Sequence, residues 1–489
     1  MSIKSMEIER NSLGKVMSFW DFIGLGLGIV IGVGWVVYTG QWLLDGGPLG
    51  AILAFTIGGI LLLPIGKTYA ELTSAMPIAG GELAYSYKAF GLFVSFLTAW
   101  ALALSYVSAT PFETIAIGML AESILPSIVS DPLYFVGDSA VSLSNIIPGI
   151  VFALYLIWLN YKGAKGSTRF QLVVLVLIIV FTFAFTGVAL IKGDVSNLEP
   201  LFAQEGSLWA VAPASIISVI VVVPFFLSGF DTITQAAEES GKKMNPKKIG
   251  AAIIGTILAG IIFYILIILA VSLSMPWHES IKFVMPTAEV FKAAFGYEWI
   301  TKLVLITALL GLVSTLNGMY IAASRLIFAL SRGGMLPHWF AEVHPAYGTP
   351  KNAILFVGSI SLVGPFIGKA GMSPIVNSAS LAFAIAYLVA ALSAIRLRYT
   401  ASDMKRPYKV HKFTLYLAAI VSVILIALMI LPQSPGQLSQ IEFLVIGIWM
   451  CFGLIAYWWR QKIGDMSSDE RTYLILGESS SKQIKNIDK

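Results

Sequence analysis

Charge is scarce in this chain. Of its 489 residues, 12% are Asp, Glu, Lys or Arg and 57% are hydrophobic, against about 25% charged residues in a soluble protein. That shortage, with a mean hydropathy of +0.83, excludes a soluble globular class and points to a polytopic membrane protein. Cysteine is nearly absent. Cys451 stands alone, which excludes an intramolecular disulfide framework and a Cys-rich metal site. The four histidines, His278, His338, His344 and His411, are scattered without ligand spacing. No H-E-x-x-H, G-x-S-x-G or clustered Asp/His pair falls in an apolar run, so the reading is not an enzyme. The net charge of +5 does not suggest a nucleic-acid partner, because basic residues in a membrane protein mostly report orientation. The opening "MSIKSMEIERNSLGKVMS" is polar and no small-residue cleavage site follows the first apolar run, so no cleavable signal peptide is expected.

Long apolar runs are what the chain has in abundance. A spanning helix needs roughly 20 apolar residues, and twelve such runs occur, near 20–44, 48–66, 92–124, 141–159, 169–191, 209–238, 249–275, 299–331, 352–368, 374–396, 413–432 and 441–460. Lys and Arg gather before the first run (Lys4, Arg10, Lys15), after the second (Lys67, Lys88), the fourth (Lys162, Lys165, Arg169), the sixth (Lys242, Lys243, Lys247, Lys248), the eighth (Arg332, Lys351) and the tenth (Arg396, Arg398, Lys405, Arg406, Lys409, Lys412), and again in the tail. The odd-numbered loops are poor in them, the seventh excepted. Positive charge marks the cytoplasmic side, so the alternation requires an even number of spans with both termini cytoplasmic. The expected organisation is a cytoplasmic segment 1–18, five spans in 19–194, five in 205–398, two in 413–462 and a cytoplasmic tail 463–489. The end of that tail, "GESSSKQIKNIDK", reads as disordered.

Two of the runs are built to break. Gly24, Gly26, Gly28, Gly32 and Gly34 crowd the first one, each costing a helix roughly 1 kcal/mol relative to alanine. In lipid every N–H and C=O must be satisfied, so irregular backbone survives only against protein or a cavity. Unwinding at Gly32-Val33-Gly34 would free N–H groups at the start of a second half-helix, a setting suited to a carboxylate. The alternative is that small residues let helices approach closely. The sixth run holds Pro224 and then Ser228-Gly229-Phe230-Asp231, with an acid at membrane depth. Asp231 reads as a cap on the second half of a broken helix. A pair of interrupted segments in corresponding positions of two halves marks the binding site of an inverted-repeat transporter.

At these residues the chain resembles the amino acid–polyamine–organocation (APC) superfamily. The resemblance covers the chain to about Arg460 and rests on "GLGIVIGVGW", "YAELTSAMPIAGGELAYSYKAFG", "NYKGAKGSTRFQ", "FFLSGFDTITQAAEES", "STLNGMYIAASRLIFALSRGGMLP" and "RPYKV". It implies an all-α, leucine-transporter-type fold of 12 transmembrane helices: a 5+5 inverted repeat plus two C-terminal helices. It implies transport of an amino acid or related amine by alternating access. It also implies that the substrate carboxylate lies on Gly32, Val33 and Gly34. The amino group would meet carbonyls near Ile29 and at Phe226 to Ser228, beside Gly229, with Phe226 or Phe230 as gate. Two departures stand out. Val33 occupies a position usually held by Ser or Thr, and span five lacks the central lysine of several proton-coupled relatives.

No cofactor is expected; proton-coupled symport is the leading expectation, with a sodium-coupled symporter or an amino acid exchanger of the same fold, working without an ion, as the alternatives. Glu113, two residues after Pro111 in the third span, is a carboxyl at membrane depth and functional by default. It can carry a coupling proton or hold a cationic amine; otherwise it hydrogen-bonds Thr110 or Thr114. The adjacent hydroxyls of Ser314 and Thr315, with carbonyls of Gly28, Ile31 and Gly311, match the oxygen ligands of a sodium site, or serve ordinary interhelical hydrogen bonding. Val33 and Glu113 favour an amine or cationic substrate, while the resemblance favours a neutral amino acid. Glu71, Glu82, Glu238 and Glu239 are expected at the cytoplasmic surface as gate ion pairs. A channel, which would show rings of polar filter residues, and a non-transporting amino acid sensor are the readings of another class. The lipid bilayer is the one other expected partner.

Overall fold

A single apolar segment has one stable answer to lipid, a helix whose backbone bonds are all internal. The computed structural model is a succession of such helices. It describes residues 17–78, 80–162, 168–204, 206–241, 244–464 and 466–477, with backbone alone at 168–172, 239, 298 and 300. Lys4, Arg10, Lys15, Lys165, Lys242, Lys243, the Arg169 side chain and the tail beyond Gly477 lie outside the described residues.

Helix α1 (Phe19–Val30) starts under a capping box in which Ser18 and Asp21 exchange hydrogen bonds. Three non-helical residues separate it from α2 (Gly34–Val37). Next comes α3 (Thr39–Ala75), in which Gly47 at φ 67° turns the chain ahead of Pro48. A Cβ at Gly47 would lie 2.6 Å from Phe202 backbone atoms, so the turn admits no side chain. Helices α4 (Glu82–Phe90) and α5 (Leu92–Ile124) follow, then an antiparallel hairpin of β1 (Pro132–Val136) and β2 (Ser139–Ser142). The hairpin modifies the all-α expectation for the third loop. It is pinned where the Tyr134 hydroxyl donates to the Phe366 carbonyl at 2.6 Å.

The chain continues through α6 (Leu143–Tyr161), α7 (Thr168–Lys192), α8 (Leu208–Ile220), α9 (Val223–Phe226), α10 (Thr232–Gln235), α11 (Pro246–Ser274), α12 (Trp277–Ser280), α13 (Pro286–Phe295) and α14 (Glu298–Arg332). It closes with α15 (Lys351–Ser361), α16 (Gly364–Ile367), α17 (Met372–Thr400), α18 (Lys412–Ile430), α19 (Gln440–Ile463) and α20 (Ser468–Leu476). Among the described residues ten helical segments are long and apolar enough to cross a membrane, and two shorter apolar ones, Leu208–Ile220 and Lys351–Ile367, fall where spans six and nine are expected.

Burial separates the centre of the bundle from its rim. The apolar windows of Phe19–Val37 and Leu92–Ile124 are 78% buried, that of Gln440–Ile463 only 17%. The broken first helix and α5 therefore form the centre, and α19 lies at the rim. There it is held by a reciprocal pair: the Trp100 and Trp449 indoles stack at 4.4 Å, and each donates to the other's carbonyl at 2.8 Å.

Candidate binding site between two broken helices

The first break follows from its glycines. The Ile31 N–H still reaches the Leu27 carbonyl at 2.8 Å, and regular bonding resumes only at Val36, whose N–H reaches the Val33 carbonyl at 2.9 Å. Between them the N–H groups of Gly32, Val33, Gly34 and Trp35 have no hydrogen-bond partner among the described residues, nor do the carbonyls of Ile29, Ile31 and Gly32. Neighbouring carbonyls are taken: Val30 accepts from the Tyr264 hydroxyl and Gly28 from that of Thr315, both at 2.7 Å. Gly32 and Gly34 are closely packed. A Cβ on Gly32 would lie 3.0 Å from both Glu113 Oε1 and Thr315 Oγ1, and one on Gly34 2.7 Å from Phe226 Cε1.

The second break runs through Leu227–Asp231, between α9 and α10. Gly229 has φ 130°, and a Cβ there would meet the Gly26 carbonyl oxygen at 2.5 Å; the two broken helices touch at this point. Asp231 accepts from the Gly229 N–H at 2.8 Å and from the Tyr106 hydroxyl at 2.6 Å. It thus holds the break itself against α5, in place of the cap expected on α10, which receives none from it. The carbonyls of Phe226, Leu227 and Ser228 are unpartnered among the described residues.

The two gate candidates part company. Phe226 abuts Gly34 and sits among Tyr38 (5.2 Å), Trp42 (4.8 Å) and Phe225 (5.2 Å). Phe230 packs instead with Tyr69 (5.6 Å) and Tyr387 (5.5 Å). On the Tyr38 side a cavity of about 160 Å³ opens between Gln41, Phe283, Lys369 and Ser373. Tyr38 also lines it, and its hydroxyl donates to Ser373 Oγ at 3.0 Å.

Glu113 is 4% exposed, faces Gly32, and leaves Oε2 without a partner among the described residues. Thr110 donates to the Val107 carbonyl, and Thr114 to those of Pro111 and Ser361. The local hydrogen-bonding alternative for Glu113 therefore fails. Gly28, Ile31, Gly311, Ser314 and Thr315 come together beside it. Ser314 Oγ is unpartnered and lies 2.9 Å from a Cβ position on Gly28. A Cβ on Gly311 would lie 3.5 Å from the Ile31 carbonyl oxygen and 3.0 Å from Ile178 Cδ1. That apolar neighbour comes from span five, which offers no central cation there.

The expectation of surface gate pairs needs correction at Glu82. It is 1% exposed and accepts from Gln235 Nε2 at 2.6 Å, with no ion pair among the described residues. Burial first, and the Asp231 charge second, push its carboxyl up to about 8. Glu71 does form ion pairs: Arg398 grips it at 2.7 and 2.6 Å, and Arg406 approaches to 3.5 Å. The side chain of Glu239 lies outside the described residues. Tyr38, Trp42, Tyr106 and Tyr264 escaped sequence reasoning. An aromatic residue in an apolar run looks the same whether it faces lipid or a cavity.

Two unwound helices, each with peptide groups unpartnered among the described residues, inside a bundle of apolar helices, define a class: a multi-pass membrane carrier. The chain belongs to the amino acid permease family, whose model matches residues 17–455, and with it to the APC superfamily. It is similar to the branched-chain amino acid permease BcaP of Bacillus subtilis (strain 168), 26% identical over 92% of this chain and 93% of that one. The methylthioribose transporter of the same organism is 27% identical over 93% and 95%. Its aspartate–proton symporter is 26% identical over 82% and 76%. All three names are those of transport proteins, and none is that of an enzyme.

Proposed function

We propose that this chain is a secondary transporter that carries a neutral amino acid or a close amine relative across the cell membrane by alternating access, coupled to protons. One observation carries the reading. Among the described residues, four consecutive N–H groups in the first break, Gly32 to Trp35, have no hydrogen-bond partner, and neither do the carbonyls of Ile29 and of Phe226 to Ser228. Bare N–H groups at a helix start stabilise a carboxylate, and bare carbonyls stabilise an ammonium group. A zwitterion satisfies both sets at once. Val33 and Trp35 in the first break and Phe226, which abuts Gly34, are buried apolar residues, which suits an apolar substrate side chain. The name of the branched-chain relative agrees.

In this reading the bundle is a 5+5 inverted repeat of twelve spans with two added helices, and both termini are cytoplasmic. Tyr38, Trp42 and Phe226 form the outer gate; Phe230, Tyr69 and Tyr387 form the inner one. Glu113 carries the coupling proton. It faces Gly32 and Thr315 with an unpaired oxygen, so its charge state acts directly on the peptide groups that hold the substrate. Sodium at Gly28, Ile31, Gly311, Ser314 and Thr315 is the second reading, favoured by the free Ser314 hydroxyl. It requires the Thr315 hydroxyl and Gly28 carbonyl to exchange their mutual bond for the ion.

Proteoliposome counterflow tests this. Preloaded leucine should drive saturable uptake of labelled leucine, with arginine and putrescine as competitors. A proton gradient should accelerate net uptake and a sodium gradient should not. Linear flux without counterflow would identify a channel, and binding without flux a sensor. Acceleration by sodium alone would move the coupling role to Ser314 and Thr315.

A further inference from the structure

A second group of buried acids lies apart from Glu113. Glu82, at the start of α4, is 1% exposed. Its Oε2 accepts from Gln235, while its Oε1 has no partner. Gln235 Oε1, the Tyr69 hydroxyl and the Tyr387 hydroxyl are also buried without partners. The Tyr69 and Tyr387 rings lie 5.8 Å apart. Asp231 completes the group, held by the Gly229 N–H and the Tyr106 hydroxyl. The elements α3, α4, α5, α10 and α17 thus bring two acids, three tyrosines and one amide to one place.

Among the described residues no ion pair joins a cation to Glu82 or Asp231. On α17, Arg398 is taken by Glu71, and Arg396 lies over the Phe90 ring at 5.0 Å. Arg325 and Arg332 on α14 make interactions of their own. Two buried carboxylates without a counter-charge repel each other and forgo hydration, and such a pair shares a proton instead. A proton on Glu82 also turns an orphaned acceptor into a donor.

We propose that Glu82 and Asp231 hold one proton between them and form a second protonation site of this protein, separate from Glu113, on the α4 side of the second break. The site has a mechanical consequence. Gly81, at φ 35°, leaves no room for a Cβ, which would lie 2.6 Å from Thr234 Oγ1; α4 is pressed against α10 there. A neutral Glu82 bonded to Gln235 keeps the two together. An ionised Glu82 must reach water, and the path to water separates α4 from α10. Burial that drives the Glu82 carboxyl up to about 8 puts this event within reach of cellular pH.

The test is infrared difference spectroscopy on the purified full-length protein in lipid nanodiscs, titrated from about pH 5 to about pH 10. It follows the carbonyl stretch of protonated carboxylic acids. The wild type should lose one such band near pH 8. Glu82→Gln should abolish that step, Asp231→Asn should move it to lower pH by removing the neighbouring charge, and Glu113→Gln should leave it in place. No step above neutrality in the wild type, or a step that survives Glu82→Gln, overturns the proposal. Should Glu82→Gln not yield monodisperse protein, Asp231→Asn decides, and an unmoved step overturns the sharing. No substrate enters the measurement, so it fails or succeeds independently of the transport assay.

Discussion

A methyl group at Gly34 would sit 2.7 Å from a ring carbon of Phe226, closer than any real contact. Gly34→Leu should therefore push Phe226 out of place and fill the break, abolishing leucine counterflow while the protein stays monodisperse by size-exclusion chromatography. Retained counterflow would remove the first break from the mechanism. Glu113→Gln keeps the shape of the side chain and deletes its charge chemistry. Proton-driven uptake should fall by about tenfold or more, a loss of at least ~1.4 kcal/mol in coupling, while counterflow persists; an unchanged pH profile would leave Glu113 a structural role. Glu82 gives a third prediction. Its folded carboxyl titrates near 8 against an ordinary 4.5, so the folded state keeps a proton that the unfolded chain has lost. Stability from this group is full below about pH 4.5, falls as pH rises towards 8, and is flat above. The thermal midpoint in detergent should decline across that window, and Glu82→Gln should remove this part of the decline. At the residue scale, Gly32, Val33, Gly34 and Glu113 could be singled out from sequence because glycine and carboxyl groups are costly at membrane depth. Tyr264 and Tyr106 could not, because their partners come from distant helices.

The elements follow from patterning where lipid imposes it. Apolar runs became helices, and the glycine and proline clusters mark where they stop. The second break shows what patterning misses: Asp231 bonds backwards to Gly229 and sideways to Tyr106, a choice that depends on α5 being alongside. The third-loop hairpin was illegible for a related reason, since its strands are short and Tyr134 finds its partner on α16. The strongest tie between elements is the Glu71 carboxylate on α3. It holds Arg398 on α17 and the Val410 N–H at 2.8 Å. Both side chains are nearly buried, at 7% and 2% exposure. Removing one partner of a buried pair strands the other, at about 3–5 kcal/mol. Glu71→Gln should accordingly lower the thermal midpoint clearly, and a midpoint unchanged from wild type would mean that water reaches the pair.

Across the whole molecule, the alternation of basic loops implies a definite orientation, which is open to direct test. In a Cys451→Ser background, a membrane-impermeant thiol reagent applied to intact cells should label Ser127→Cys, before the hairpin, and spare Lys409→Cys, between α17 and α18. Both native positions are exposed, so the reverse pattern would invert the proposed inner and outer faces. The amino-acid sequence by itself determined that this chain lives in a bilayer, where its helices run and where two of them give way, because hydropathy and helix propensity are local properties read residue by residue. The tertiary structure alone decided, among the described residues, which peptide groups stay bare, which aromatic residues pack at the two breaks and which buried acids make no ion pair. Those outcomes depend on neighbours hundreds of residues away in the chain, and burial and pairing exist only once the helices have come together.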